Sequence, residues 1–232
     1  GAKVATHDPS DVGDARGYAM RHGSVLLEAD CTKSLDINDA CDWAATKARE
    51  AKANFFVYDA DGVGLSLRRQ VAEFFDNQPV SIREFKGGSS CKRPEEQFSH
   101  DTSHCHDFDS EKRIILNKDA FFNLRAHCYF ELANKMRKTH EVITKGLLVA
   151  NPDDLFSISS ECTMLEQLKT ELCRLPQHYN ISGKFQLANK KDMLSKFGIP
   201  SPNIADCVMM SMIDIKLAST WDKPISPTIN LA

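Results

Sequence analysis

Asn54-Phe55-Phe56-Val57-Tyr58 constrains the fold of this chain more than any other stretch. A short run that is apolar at successive positions reads as a strand buried on both faces, inside a sheet covered on each side. The run lies between two helical patterns. Ile37, Ala40, Ala44, Ala48 and Ala51 recur at helical spacing before it, with Asp36 placed as a cap. Leu67, Val71, Phe74 and Phe75 mark an amphipathic helix after it, leading to a further strand over residues 80–85. Ahead of these, residues 3–7, 17–21 and 24–29 read as three strands, the last two joined by a His22-Gly23 turn. A meander followed by crossover helices predicts an α/β fold: a mixed central sheet of five strands or more, with helices on both faces, because parallel neighbours need a long connection.

Residues 86–118 break the periodicity. They hold Gly87-Gly88-Ser89-Ser90 and a stretch rich in His, Asp and Ser, which predicts an inserted, exposed loop or hairpin. Phe121, Leu124, Cys128, Leu132 and Met136 then mark a long helix, and Cys162, Leu165, Leu168 and Leu172 another, both expected to pack on the sheet. Residues 185–188 read as a short strand and 190–197 as a helix stopped by Gly198. The last helix is expected to start with Ser201 as cap and Pro202 in its first turn, and to bury Ala205, Val208, Met209 and Met212.

One domain over residues 1–232 is the expectation, since a chain 42% apolar and 26% charged buries an ordinary core. The chain opens almost at once on a strand, so no leader is expected and a longer parent protein is. Lys and Arg number 29 against 32 Asp and Glu, leaving −3. That excludes a chain that binds nucleic acid through its net charge, and any DNA surface is a local patch. Eight irregularly spaced cysteines predict reduced thiols in a cytosol. No run of about 18 apolar residues predicts a membrane span.

Three carboxylates stand out by their surroundings. Asp8 closes the first strand, Asp59 closes the buried run, and Asp206 lies near the start of the last helix among Ala205, Cys207, Val208 and Met209. A lone carboxylate beside so much apolar sequence is costly to keep charged. No Lys or Arg is adjacent, whereas a hard divalent cation would neutralise several converging carboxylates at once. Two such ions form a standard device for in-line displacement at phosphorus. Each acid alone could equally be a strand-end turn cap.

These residues carry a resemblance. Asp8 with Gly13-Asp14, the segment Phe56-Val57-Tyr58-Asp59-Ala60-Asp61-Gly62-Val63-Gly64, and Ser201-Pro202-Asn203-Ile204-Ala205-Asp206 together resemble the nuclease domain of the tailed-bacteriophage terminase large subunit over nearly the whole chain. Asn123-Leu124-Arg125-Ala126 and Lys190-Lys191-Asp192 resemble further segments of that family. The resemblance implies an RNase H-like fold and metal-dependent cutting of concatemeric double-stranded DNA during genome packaging, in the cytoplasm of an infected bacterial host. It implies Asp8, Asp59 and Asp206 as catalytic ligands of two Mg²⁺ or Mn²⁺ ions, with water as the attacking group. Asp14 and Asp61 would support them. Asn203 stands where the family commonly has Asp, and offers one neutral oxygen. Implied partners are DNA, the portal protein, the small terminase subunit and an ATPase domain of the same full-length chain. No G-x-x-x-x-G-K-[ST] loop occurs here, so no ATPase activity is expected of these residues.

Arg68, Arg69, Lys86, Lys190 and Lys191 fall near predicted sheet ends and are candidates for phosphate contact, although solvated Lys and Arg are the commoner case. Cys91, His100, His104, Cys105 and His106 invite a zinc reading, but only the two histidines have a ligand-like spacing. A mobile loop near DNA or the packaging machinery is preferred. Two other functions compete with the leading one: a docking or DNA-binding module with little cleavage in isolation, and another RNase H-like nuclease such as a junction resolvase.

Overall fold

The computed structural model describes residues 1–10, 14–98 and 114–215. Strand β1 (Lys3–Asp8) is the axis of the sheet. On one side it pairs antiparallel with β2 (Arg16–His22), which pairs antiparallel with β3 (Val25–Thr32). After α1 (Ile37–Glu50) the chain returns as β4 (Phe55–Asp59), parallel to β1 on its other side. A 3-10 turn over Gly62–Leu67 and α2 (Arg68–Phe74) lead to β5 (Ser81–Phe85), parallel to β4. The mixed sheet is as predicted.

Alternation along the strands builds two cores. Val4, Phe55 and Val57 face one side of the sheet, and Ala5, Phe56 and Tyr58 face the other. The second core is closed by α1, whose buried Ala40, Ala44, Ala45 and Ala48 let the helix approach closely, and Asp36 caps it by accepting from the N–H groups of Asn38 and Asp39 at 2.8 Å.

The first core is built by the C-terminal half: α3 (Asn117–Ala120), α4 (Leu124–Lys145), the two-residue strand β6 (Ser157–Ile158) and α5 (Leu165–Cys173). The hairpin β7 (Gln177–Tyr179) and β8 (Phe185–Leu187), then α6 (Lys190–Phe197) and α7 (Asn203–Met210), complete it. β6 extends the sheet to the order β5-β4-β1-β2-β3-β6.

Four local expectations change or gain detail. First, α4 and α5 pack mainly on α7, which itself lies on the sheet. Every residue of α7 is buried, so it is a central layer and not a one-sided cover. Gly17 makes this possible: a Cβ there would stand 2.5 Å from the Asn203 carbonyl oxygen and 2.7 Å from Cys207 Sγ. Second, Ser201 does not cap α7; its hydroxyl is buried without a partner, and Pro202 is the cap residue. The Glu171 carboxylate on α5 does the work instead, accepting the Ala205 N–H at 2.8 Å, where a negative group also suits the positive end of the helix. Third, the short strand expected over 185–188 forms as β8, and it pairs with β7 in a two-stranded hairpin apart from the central sheet.

Fourth, residues 86–98 are not wholly an exposed loop. Cys91 joins the first core, and buried Lys92 pairs with Glu131 on α4 and donates to the Met212 carbonyl at 2.7 Å. A buried ammonium needs such partners. His100, His104, Cys105 and His106 lie outside the described residues, and the described cysteines are all free thiols. Among the described residues no helix is long and apolar enough to cross a membrane.

Candidate active site

The C-terminal ends of parallel β1 and β4 lie side by side, and the start of α7 is packed against them, so Asp8, Asp59 and Asp206 meet in one place. They line a cleft of about 700 Å³, with Asp14, Asp61, Arg125 and Lys190 also on its walls. Rigid strand ends hold carboxylates well for this purpose.

Asp206 is the most constrained. Its Oδ1 accepts from the Tyr129 hydroxyl at 2.8 Å and from Arg125 Nε and Nη2, each at 3.2 Å. Burial alone would raise its pKa, but the Arg125 and Lys190 charges and the hydrogen bonds from Tyr129 and Arg125 hold it below the usual carboxylate range. Its Oδ2 is buried without a hydrogen bond and stands 3.5 Å from Lys190 Nζ.

Asp8 is shared between two neighbours. Oδ2 accepts from Lys190 Nζ at 3.1 Å, and Oδ1 accepts from the Ser10 N–H at 3.1 Å. Ser10 also donates its hydroxyl to Asn203 Oδ1 at 3.1 Å, and holds an unusual φ of 42° to do so. Burial opposes the Lys190 charge, yet Asp8 and Asp206, with Asp59 farther off, keep its pKa above the ordinary lysine value.

Asp59 differs from both. Its Oδ1 accepts from the Asp61 N–H at 3.0 Å, but among the described residues no ammonium or guanidinium lies in ion-pair contact with it. Burial first, and the negative charge of Asp8 second, raise its pKa to about 7. Gly64 lets the backbone turn under it: a Cβ there would stand 1.8 Å from the Asp59 carbonyl oxygen.

The residues fit a divalent cation. An orphaned carboxylate oxygen on Asp206 and a carboxyl group on Asp59 short of positive charge are what such an ion would satisfy. Among the described residues no three His, Cys, Asp or Glu side chains stand ready as a closed ligand cluster. Lys190 stands between two of the three acids.

Neither the protein-family models nor the curated proteins give a match. Solved structures do. The nuclease domain of the large terminase subunit of bacterial virus Sf6 matches at 38% identity and a TM-score of 0.79, over 93% of this chain and 90% of that one. A lysine-to-alanine mutant of that domain with manganese and β-thujaplicinol matches at 37% identity and 0.83, over 93% and 90%. The mutant with calcium matches at 38% and 0.81, over 93% and 89%. This chain belongs to the family of terminase large-subunit nuclease domains.

The terminase fold is RNase H-like, as the resemblance implied. Within this terminase domain the structure brings Asp8, Asp59, Asp206 and Lys190 together, with Asn203 joined to Asp8 through Ser10. Asp14 and Asp61 are exposed on the cleft wall, and Asp61 Oδ2 lies 3.5 Å from the Gly88 N–H. Arg68 and Lys86 do not line the cleft; both pair with Glu84, whose pKa falls to about 2 chiefly through its hydrogen bond with Arg68. Arg69 pairs with Glu73, and Lys191 is exposed on α6. Reading the sequence missed Ser10, Tyr129 and Glu171. Tyr129 follows Arg125 by one helical turn, so the Arg125 segment could have pointed to it.

Proposed function

We propose that this chain is a divalent-metal-dependent endonuclease that cuts concatemeric double-stranded viral DNA during genome packaging. The observation that carries the proposal is the convergence of Asp8, Asp59 and Asp206 in one cleft, where among the described residues Asp59 has no ion-pair partner and burial raises its pKa. Membership of the terminase nuclease family supports it.

Asp8, Asp59 and Asp206 would hold two Mg²⁺ or Mn²⁺ ions, which when bound supply Lewis-acid activation of a water and of the leaving oxygen. The chain's own residues prepare that chemistry. Arg125 and Tyr129 occupy Oδ1 of Asp206 and leave Oδ2 for a ligand bond. Ser10 orients Asp8 and Asn203 together, so Asn203 is a supporting group whose oxygen is already engaged. Lys190 neutralises Asp8 and Asp206 in the free protein, which keeps the two acids from repelling each other. Asp14 and Asp61 extend the acid wall outward. Lys86 and Lys191, exposed and next in sequence to lining residues, and Arg68, exposed and paired with the same Glu84 as Lys86, would meet backbone phosphates without reading bases. The reaction needs no protein nucleophile, since water attacks phosphorus and the 3′ oxygen leaves. By family the partners are the portal, the small terminase subunit and the ATPase domain, in the cytoplasm of an infected bacterium.

Supercoiled plasmid with Mg²⁺, Mn²⁺ or EDTA tests this reading. The wild-type domain is expected to nick and linearise it only with metal, and Asp59→Ala to abolish both the cutting and the metal-induced rise in Tm, the metal's stabilisation of wild type being about 2.7 kcal/mol at a hundred times Kd. Cutting that survives Asp59→Ala overturns the site. A wild-type domain that never cuts with any metal points to a docking module.

A further inference from the structure

The cleft has two kinds of wall. Its floor carries recessed acids, Asp8 and Asp206 being 2% and 4% exposed, and the cationic side chains lining it, Arg125 and Lys190, are already bound to them. Its rim carries Val63 and Phe122, 37% and 51% exposed. A DNA strand approaching this floor meets negative charge with no uncommitted cation among the described lining residues. Bound metal and the apolar rim are therefore left to offer contact there, beside the uncharged Gln186, Asn189 and the Gly87-Gly88 backbone.

Phe122 is built for such a contact. Its neighbour Phe121 is buried, stacked on His127 with ring centroids 4.1 Å apart and set edge-on to Phe98 and Phe130. Phe121 therefore fills the apolar place at the foot of α4, while Phe122 stays outside the core and half exposed. Among the described residues the Phe122 ring meets no other aromatic ring. Its backbone, however, is pinned: the Phe122 N–H donates to the Phe185 carbonyl at 3.0 Å, and the next residue, Asn123, caps α4 by accepting the Ala126 N–H at 2.9 Å. Two residues on, Arg125 grips Asp206. An exposed ring thus stands on a rigid mount tied to the acid site.

We infer that Phe122 is a wedge that enters the DNA duplex beside the scissile step, its ring against a base, so that the adjacent phosphate can reach the recessed carboxylates. Apolar side chains inserted between base steps unstack and kink the duplex. Aromatic stacking suits every base, so the device works without sequence preference. The inference rests on the nuclease reading above.

Short duplexes carrying the fluorescent adenine analogue 2-aminopurine at successive positions test it, because the analogue brightens when unstacked. With divalent metal present, and before products accumulate, the wild-type domain should brighten the probe, Phe122→Trp should retain the effect and Phe122→Ala should lose it. Phe122→Ala should also cut paired duplex about tenfold more slowly, and this deficit should shrink to about threefold or less when the step is already mismatched. An unchanged metal-induced rise in Tm shows that the variant keeps its fold and its acids. A Phe122→Ala domain that brightens and cuts like wild type overturns the wedge, as does a wild-type domain that never brightens the probe. Brightening without any wild-type cleavage sinks the nuclease reading and keeps the wedge; cleavage without brightening does the reverse.

Discussion

Asp206 and Asp59 share one cleft and live under opposite electrostatics. Asp206 is deeply buried and has a guanidinium, an ammonium and a phenol around it, so it stays charged. Asp59 is less buried yet keeps a proton to about pH 7, because its nearest strong influence after desolvation is the like charge of Asp8. Burial alone therefore does not decide a carboxylate's charge; what the surrounding elements bring to it does. Asp206 is prepared by the protein, and Asp59 is left without an ion-pair partner among the described residues.

Breaking the prepared side should have the largest effect. Arg125→Met leaves the Asp206 carboxylate buried without its main partner, and loss of one member of a buried pair costs about 3–5 kcal/mol. Urea unfolding at neutral pH should show that loss. Adding Asp206→Asn should recover part of it, since most of the cost is the stranded charge. Equal instability of the single and double variants would mean that Arg125 acts by packing on Tyr129, over whose ring its guanidinium lies at 5.1 Å.

The unprepared side gives a smaller, pH-dependent effect. The native pKa of Asp59, about 7, lies above the unfolded value of 3.8. Between those values the native protein holds a proton that the unfolded chain has released, so this stabilisation is complete below pH 3.8 and lost as pH rises through about 7. Asp59→Asn removes the dependence. In EDTA the variant should gain roughly 2–4 kcal/mol on wild type as pH rises across that window. A difference that does not vary with pH would show that Asp59 is charged in the free protein.

The same contrast explains what could be read from the sequence. β4 declared itself because both of its faces are buried, and Asp8 and Asp59 declared themselves because a strand end beside apolar residues is a local signal. Helix α7 was visible as an apolar stripe, but nothing local says that it lies between the sheet and two further helices. The groups that prepare Asp206 are long-range: Arg125 and Tyr129 are 81 and 77 residues away in sequence, and the Glu171 that replaces Ser201 as the α7 cap is 34 from its partner. Periodicity places a residue on a face. It cannot say which distant helix that face will meet.

Ser10 offers the finest cut, because its N–H and its hydroxyl both reach Asp8 Oδ1, at 3.1 and 3.4 Å, its hydroxyl also reaches Asn203, and it holds an unfavourable φ of 42°. Two substitutions separate these contributions. Ser10→Ala loses the hydroxyl and keeps the strain, and should cost about 1 kcal/mol. Ser10→Gly loses the same hydroxyl but accepts positive φ freely, so the relief should offset the loss to within about 1 kcal/mol. If the hydroxyl orients Asp8, both variants should bind Mn²⁺ more weakly by the same factor despite their different stabilities, as metal titrations followed by Tm would show. If metal affinity instead follows stability, the turn shape and not the hydroxyl sets Asp8, and Ser10 belongs with the scaffold that merely brings the two acids of β1 and β4 to one end of the sheet.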